Sequence, residues 1–165
     1  MPPTAMTLCF LLTETHILLG HKKVRLGAGL WTGYGGHNES GETIEQTAVR
    51  ETFDESGIRP RNLTKHGVVL ITYAESPLEV ELHVFSSREF SGEPRETDEM
   101  IPGWFSLDGI PYPDMWSNDS YFLPMLLLGE RFVGHFHLDN TSEKTILWYH
   151  LEEVTELPEH IEPWP

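Results

Sequence analysis

Short apolar runs separated by polar or Gly- and Pro-containing turns make up most of the chain, and this pattern is typical of a protein built mainly from β-strands. Residues 6–12 and 17–19 predict a hairpin or two adjacent strands. Residues 63–74 and 78–86 predict two long strands joined by a tight turn. The remaining predicted strands are residues 104–107 and a closing pair, residues 131–138 and 145–151.

Two segments have the length and end signals of helices. The first is residues 43–56, followed by Gly57 at the position where a left-handed residue ends a helix. The second is the apolar run 121–128, preceded by a proline-containing loop at 110–118. The polar residues near the two predicted starts are Ser40 or Glu42 for the first helix and Asp119 or Ser120, as N-cap, for the second. Strands flanking two helices predict an α+β or α/β layered architecture with a mixed sheet.

Composition and charge narrow the class of protein. The chain has 165 residues and a net charge of −15, and no linker divides it, so we expect one domain over residues 1–154 and an irregular tail over 155–165. The acidic balance argues against binding of a nucleic-acid polymer, which needs basic surface. A single cysteine, Cys9, excludes an intramolecular disulfide and fits a reducing compartment. The apolar run 8–12 is too short for a signal peptide or a membrane span, so the expected location is the cytoplasm.

Three carboxylates share one face of the first predicted helix. Glu51 and Glu55 are four residues apart, and Asp54 is three residues from Glu51. A solvated helix face usually mixes signs of charge, whereas clustered acids suit a hard divalent cation such as Mg²⁺, which takes oxygen ligands. An acidic solvated helix is the structural alternative.

The spacing around these acids resembles the Nudix box, G-x5-E-x7-R-E-U-x-E-E-x-G-U. The matching positions are Gly36, Glu42, Arg50, Glu51, Glu55, Gly57 and Ile58. Asp54 stands where the box has the first Glu of its pair, and Thr52 stands where an aliphatic residue is usual. The resemblance implies the layered Nudix fold, in which helices flank a mixed sheet.

Segments outside the box narrow the resemblance. GAGLWTGYGG, ELHVF, TDEMIPGWFSLDGIPYPDMW, DSYFLPMLLL and TILWYHLEEV are similar to the oxidised purine nucleoside triphosphate hydrolases, from about Thr7 to Val154. This resemblance implies Mg²⁺-dependent hydrolysis, with Mn²⁺ as a substitute, of 8-oxo-dGTP-type nucleotides to monophosphate and pyrophosphate. Such an enzyme cleans the nucleotide pool and so prevents DNA damage. Its expected partner is a small nucleoside triphosphate, with no nucleic-acid polymer and no membrane, and it is expected to be a monomer.

The resemblance also implies a set of metal ligands and catalytic groups. They are Gly35, through its carbonyl, with Glu51, Glu55 and Glu99, supported by Asp54. Glu51, Glu55 and Glu99 carry the catalysis, and either Glu55 or Glu99 takes the proton of the attacking water. Glu99 also has a plainer interpretation, as a surface acid beside Asp98. Arg50 and Glu42 resemble a structural ion pair that ties the loop to the helix.

A basic cluster lies beside a glycine-rich segment at the phosphate end of the expected site. Lys22, Lys23 and Arg25 precede Gly27, Gly29, Gly33, Gly35 and Gly36, and such a segment suits phosphates. The resemblance assigns substrate contacts to Lys22, Gly35 and Gly36. The alternative is an exposed edge strand that carries gatekeeper lysines.

The resemblance places the purine in an apolar, aromatic pocket. The implied lining residues are Thr7, Leu8, Leu26, Thr32, Ile71, Tyr73, Val80, Trp116, Asn118 and Asp119. Trp116 is the expected stacking platform, with a core tryptophan as the alternative. Leu26 and Ile71 replace Phe of the family, Thr32 replaces Asn, and Asn118 replaces the first of two adjacent aspartates. The reaction class therefore follows from the resemblance, but the preferred base does not.

Two other functions remain open. The Nudix chemistry could act on ordinary nucleotides, capped RNA ends or nucleotide sugars. The chain could also be a catalytically silent nucleotide-binding module, although the intact acids Glu51 and Glu55 argue against that.

Overall fold

Ten strands and two helices build the chain in the computed structural model, which describes residues 2–141 and 145–163. The strands are β1 (Thr4–Leu12), β2 (His16–Lys22), β3 (Trp31–Thr32), β4 (Arg59–Arg61), β5 (Thr64–Tyr73), β6 (Ser76–Ser87), β7 (Glu89–Ser91), β8 (Met100–Ser106), β9 (Phe132–Leu138) and β10 (Ile146–Glu153). The helices are α1 (Ile44–Ser56) and α2 (Asp119–Leu127). The expected domain 1–154 and tail 155–165 include residues 1, 142–144, 164 and 165, which lie outside the described residues.

Eight of the strands form one mixed sheet. Its order is β10-β9-β5-β6-β1-β2-β3, and β8 also pairs with β2. The pairs β1–β6 and β5–β9 are parallel, whereas β1–β2, β5–β6 and β9–β10 are antiparallel hairpin neighbours. The mixed α+β sheet and all three predicted strand pairs are therefore confirmed.

Each face of the sheet carries its own apolar core, because successive strand residues point to opposite faces. Phe10 and Leu12 of β1 pack with Phe122 of α2 in the larger core. Cys9 and Leu11 of the same strand pack with Ala48 of α1 in the smaller one. The sheet thus lies between the two helices and gives the three layers that the Nudix resemblance implies.

Helix α1 begins with a capping box. The Thr43 hydroxyl accepts a hydrogen bond from the Gln46 backbone N–H at 3.1 Å, and the Gln46 side chain accepts one from the Thr43 N–H at 2.9 Å. Gly57 ends the helix at φ 80°, as predicted, and its N–H donates to the carbonyl of Phe53. Hydrogen bonds thus fix both ends of α1, the helix that carries the predicted metal-binding acids.

The predicted start of α2 is wrong. Asn118, not Asp119 or Ser120, is the N-cap residue, and no side chain of the described residues makes a capping hydrogen bond to the helix. Asp119 lies inside the first turn and is buried, while the Ser120 hydroxyl donates to the carbonyl of Ser117. The loop before α2 contains a short 3₁₀ turn, Tyr112–Asp114.

Other differences concern short or edge elements. Strand β8 begins at Met100 rather than residue 104, because seven of its residues pair with β2. The sequence pattern missed β3 and the two-stranded ladder of β4 and β7. No helix within residues 2–141 or 145–163 has the length and apolarity needed to span a bilayer.

Candidate active site

A glycine pair presses the loop before α1 against strand β1 and the helix. A Cβ atom on Gly35 would lie 1.7 Å from the carbonyl oxygen of Thr7, and one on Gly36 would lie 2.6 Å from Cδ of Glu51. The Thr7 backbone N–H also donates to the Gly36 carbonyl at 2.9 Å. Only glycine fits at position 35, where the clash is with backbone atoms, whereas a side chain at position 36 would displace the Glu51 carboxylate.

Glu55 is the most deeply buried acid of α1, with 3% of its surface exposed. Its Oε1 accepts a hydrogen bond from the Gly35 N–H at 2.9 Å. Burial raises the pKa of Glu55 to about 8; the Gly35 hydrogen bond opposes that shift, while a hydrogen-bonding contact with Glu99 and the charge of Glu51 add to it. The cluster therefore tends to hold a proton unless another cation neutralises it.

Arg50 anchors the other side of the cluster. Its Nε and Nη2 donate to the two carboxylate oxygens of Glu42 at 2.7 and 3.0 Å, and its Nη1 donates to Glu51 at 2.8 Å. The ion pair with Glu42 confirms the structural role expected for these residues. Hydrogen bonding to Arg50 lowers the pKa of Glu42 to about 2, so Glu42 is a fixed anion. Burial raises the pKa of Glu51, against the effect of Arg50.

Glu99 reaches the cluster from the loop before β8. Its carboxylate contacts Glu55, and its Oε1 also accepts a hydrogen bond from Nη2 of Arg25 at 2.9 Å. Asp54 lies at the side, with 57% of its side chain exposed and one oxygen 3.8 Å from Nη1 of Arg50. The structure thus brings Glu51, Glu55 and Glu99 together and leaves Asp54 at the margin.

Sequence reasoning missed Thr97, which fixes this loop. The Thr97 hydroxyl donates to the Glu55 carbonyl at 3.0 Å and accepts from the backbone N–H groups of Glu99 and Met100. A threonine two residues before the predicted ligand is a signal for such a local turn. Thr97 therefore ties the loop that carries Glu99 to the helix that carries Glu55.

The donor set fits a hard divalent cation, although its acids are not already arranged around one. Within the described residues, no three His, Cys, Asp or Glu side chains form a ready coordination group. Arg50 and Arg25 instead pair with Glu51 and Glu99. Burial nevertheless raises the pKa values of Glu51 and Glu55, because it disfavours their anionic oxygens. A bound cation would offset that cost.

The two adjacent lysines lie in different surroundings. Nζ of Lys23 donates to Glu96 at 2.6 Å and to the Thr97 carbonyl at 3.0 Å. Lys22 ends strand β2 opposite Met100, and no carboxylate of the described residues lies within 4 Å of its Nζ. Lys23 is therefore a structural cation, whereas Lys22 is available for an anion.

Several predicted pocket residues meet in the larger core on the α2 side of the sheet. Ile71 and Val80 are cross-strand partners there, Tyr73 belongs to the same cluster, and Trp116 packs against it. The Trp116 indole also faces the backbone of Gly27, where a Cβ atom would lie 3.0 Å from Nε1. The tryptophan thus lies between the core and the glycine-rich loop.

The other predicted pocket residues lie around this group. Leu8 belongs to the cluster, Leu26 is exposed in the loop after β2, and Thr32 is half-buried in β3 opposite Gly20. Thr7 points to the opposite face of β1, with its hydroxyl 3.5 Å from the Gly36 nitrogen. The Thr7 side chain therefore contacts the loop that contains Gly36 and does not line the apolar cluster.

Asn118 and Asp119 are both buried at the start of α2, and Asp119 is 2% exposed. Oδ2 of Asp119 has no hydrogen-bond partner among the residues that the structure describes. Burial raises the pKa of Asp119 to about 8. A buried carboxyl oxygen without a protein partner is costly, so the Asp119 carboxyl is a candidate contact for a ligand.

Comparisons with known proteins agree with this geometry. The NUDIX domain pattern matches residues 1–126. The oxidized purine nucleoside triphosphate hydrolase of Mus musculus is 44% identical over 148 residues, which cover 90% of this chain and 94% of the relative. The protein of the same name in Danio rerio is 38% identical over 152 residues, 92% of this chain and 96% of the relative.

A solved structure extends the agreement to the fold. The crystal structure of the mutator MutT protein from Bacillus halodurans matches with a TM-score of 0.80 at 28% identity, covering 90% of this chain and 97% of that one. Sequence, fold and the arrangement of the α1 acids together show that this chain belongs to the Nudix family and, within it, to the oxidised purine nucleoside triphosphate hydrolases.

Proposed function

We propose that this protein hydrolyses oxidised or otherwise modified purine nucleoside triphosphates, of the 8-oxo-dGTP type, to monophosphate and pyrophosphate. The observation that carries this proposal is the buried Oδ2 of Asp119, which has no hydrogen-bond partner within residues 2–141 and 145–163. A purine edge would supply that partner, while its ring would stack on the indole. In the cell, this activity would remove damaged nucleotides from the pool and so prevent DNA damage.

The phosphate end of the substrate belongs at the acid cluster. Glu51, Glu55 and Glu99 with the Gly35 carbonyl, supported by Asp54, would hold Mg²⁺, and Mn²⁺ would substitute. The bound cation would neutralise phosphoryl oxygens and lower the pKa of water. The Gly35 N–H orients the Glu55 carboxylate, and Arg50 orients that of Glu51.

Side chains and backbone groups of the protein would bind the remaining phosphate charge and accept the proton of the attacking water. Lys22, which has no carboxylate partner within the described residues, would contact a phosphate together with the Gly36 backbone. Glu55 or Glu99 would accept the proton of the attacking water, and the raised pKa of Glu55 suits proton transfer near neutral pH.

The same proposal includes the organisation of the protein. A single Nudix domain over residues 1–154, with the tail 155–165, would act as a monomer in the cytoplasm on a small nucleotide. The single cysteine, Cys9, is free and buried, which suits a reducing compartment.

Pyrophosphate release from a nucleotide panel, with and without Mg²⁺, tests the proposal. The panel contains 8-oxo-dGTP, 2-hydroxy-dATP, O6-methyl-dGTP, dGTP, a nucleotide sugar and a capped RNA. We expect the highest kcat/KM on a modified purine triphosphate. Preference for the nucleotide sugar or the cap would indicate another Nudix substrate, and binding without turnover would indicate a silent module.

A further inference from the structure

The backbone of Arg25 adopts a left-handed conformation, with φ of 62°, that non-glycine residues rarely occupy. Such a residue costs about 1–3 kcal/mol and persists only where the surrounding structure imposes it. Here the loop after β2 closes on itself: Ala28 N–H donates to the Arg25 carbonyl at 3.1 Å, and Gly29 N–H donates to that of Lys22 at 2.8 Å. These bonds fix the backbone of Arg25.

The side chain of Arg25 reaches the acid cluster. Nη2 of Arg25 lies 2.9 Å from Oε1 of Glu99, and the Lys23 N–H donates to the Glu99 carbonyl at 2.8 Å. Glu99 in turn contacts the buried Glu55. Arg25 is therefore the cation on the Glu99 side of the cluster, as Arg50 is on the Glu51 side.

The two arginines differ in how firmly they are held. Arg50 has 29% of its side chain exposed and donates to Glu42, Glu51 and the His37 carbonyl. The Arg25 side chain is 71% exposed, and its ion pair is with Glu99, whose side chain is 32% exposed. A pair that is open to water contributes at most about 1 kcal/mol, so another cation can displace Arg25 from Glu99.

We propose that Arg25 is an exchangeable cation of the active site, which neutralises Glu99 in the metal-free enzyme and turns to the substrate's pyrophosphate group once a divalent cation occupies Glu99. The inference rests on the proposed function, because it takes Glu99 as a metal ligand and a triphosphate as substrate. The released guanidinium starts beside the cation's position, and its planar fork of N–H groups matches phosphate oxygens.

Two binding measurements without turnover test the proposal. The first is Mn²⁺ affinity of the nucleotide-free enzyme, followed by electron paramagnetic resonance. The second is the Kd of inorganic pyrophosphate for the Mn²⁺-loaded enzyme, by calorimetry. Arg25→Gly removes the guanidinium and tolerates the left-handed backbone, Arg25→Lys keeps the charge, and Arg88→Ala controls for loss of an exposed arginine elsewhere.

For Arg25→Gly we expect Mn²⁺ to bind about three- to fivefold more tightly, because its competitor at Glu99 is gone. Pyrophosphate should bind about tenfold more weakly, because a charge-assisted contact is lost. Arg25→Lys should lie between wild type and Arg25→Gly in both measurements, and Arg88→Ala should match wild type. Unchanged or weaker Mn²⁺ binding, or unchanged pyrophosphate binding, in Arg25→Gly would overturn the inference. Wild-type protein that hydrolyses no nucleotide would overturn the proposed function instead, since neither binding measurement needs turnover.

Discussion

Oε1 of Glu55 accepts a 2.9 Å hydrogen bond from the backbone N–H of Gly35, which joins helix α1 to the loop in front of it. The bond exists because Gly35 can approach Thr7 without a side chain. It gives a buried carboxylate one fixed donor, while its neighbours Glu51 and Glu99 are anions that raise its pKa. Glu55 is therefore held in one orientation at a position where burial and nearby acids disfavour its charged form.

Glu55→Gln tests this role. The amide keeps the shape and can still accept the Gly35 hydrogen bond, but it loses the charge that would hold Mg²⁺. We expect kcat to fall at least about a hundredfold, because a metal-held charge in phosphoryl transfer is worth several kcal/mol. The matched control is Glu45→Gln, an exposed acid in the first turn of α1, which should retain activity. Near wild-type turnover of Glu55→Gln, with an unchanged melting temperature, would remove Glu55 from the metal site.

The two lysines before the glycine-rich segment give a second prediction. Lys22→Ala should raise KM for the triphosphate about tenfold or more, because a charge-assisted contact to phosphate is worth about 1.5–3 kcal/mol. Lys23→Ala should change KM little and cost at most about 1 kcal/mol of stability, since Lys23 pairs with Glu96 at the surface. Steady-state kinetics and urea unfolding of both variants separate these effects. Equal, negligible changes in KM would mean that neither lysine contacts the substrate; the edge-strand alternative is excluded, because β2 pairs with both β3 and β8.

Much of the fold follows from residue patterning, and its limits have physical causes. The long strands β1, β5, β6 and β9 carry apolar runs long enough to be recognised. Strands β3, β4 and β7 have two or three residues each and show no period, so only tertiary pairing reveals them. The N-cap of α2 was mispredicted because an aspartate at a helix start is usually a solvated cap, whereas Asp119 is buried.

The candidate site likewise has some features that the sequence predicts and others that only the structure reveals. Helical spacing alone places Glu51 and Glu55 together. Arg25 and Glu99 are 74 positions apart in the chain, and their contact depends on the pairing of β2 with β8. The sequence pattern contains no signal for that contact, or for the Asp119 oxygen that has no partner in the described part of the chain, because both depend on packing around side chains that are ordinarily solvated.

The C-terminal segment supplies a third prediction, through His160. Nδ1 of His160 lies 3.0 Å from Oε1 of Glu81, a buried acid of β6 that also contacts His83. Its hydrogen bond with Glu81 raises the pKa of His160. The stabilisation by His160 should therefore be complete below its ordinary pKa of 6.5 and should be lost as pH rises through its higher value in the folded protein.

Urea unfolding across pH measures this contribution. His160→Ala should cost up to about 1 kcal/mol at pH 6, and the loss should shrink as pH rises above 7. His16→Ala, at an exposed histidine that begins β2, serves as the control for loss of a histidine elsewhere on the surface. A stability loss in His160→Ala that does not vary with pH would mean that charge is not what attaches the tail to Glu81.

The last prediction concerns selection of the base, and it rests on Asp119 and its neighbour Asn118. The Asp119 carboxyl, whose pKa burial raises to about 8, carries a proton near neutral pH and can exchange it with the Watson–Crick edge of a purine. Asn118 offers an amide that does not titrate. A site built to hydrogen-bond one edge rejects analogues that leave its buried groups unpaired.

Asp119→Ala should therefore reduce kcat/KM for modified purine triphosphates at least about tenfold, more than Trp116→Phe, which keeps a stacking ring. Asn118→Asp should widen the range of accepted bases, because two adjacent carboxyl groups can share a proton. The measurement is kcat/KM for 8-oxo-dGTP, 2-hydroxy-dATP, O6-methyl-dGTP and dGTP in wild type and the three variants. If Asp119→Ala leaves the ranking of these substrates as in wild type, the base is bound elsewhere and the oxygen of Asp119 has another partner.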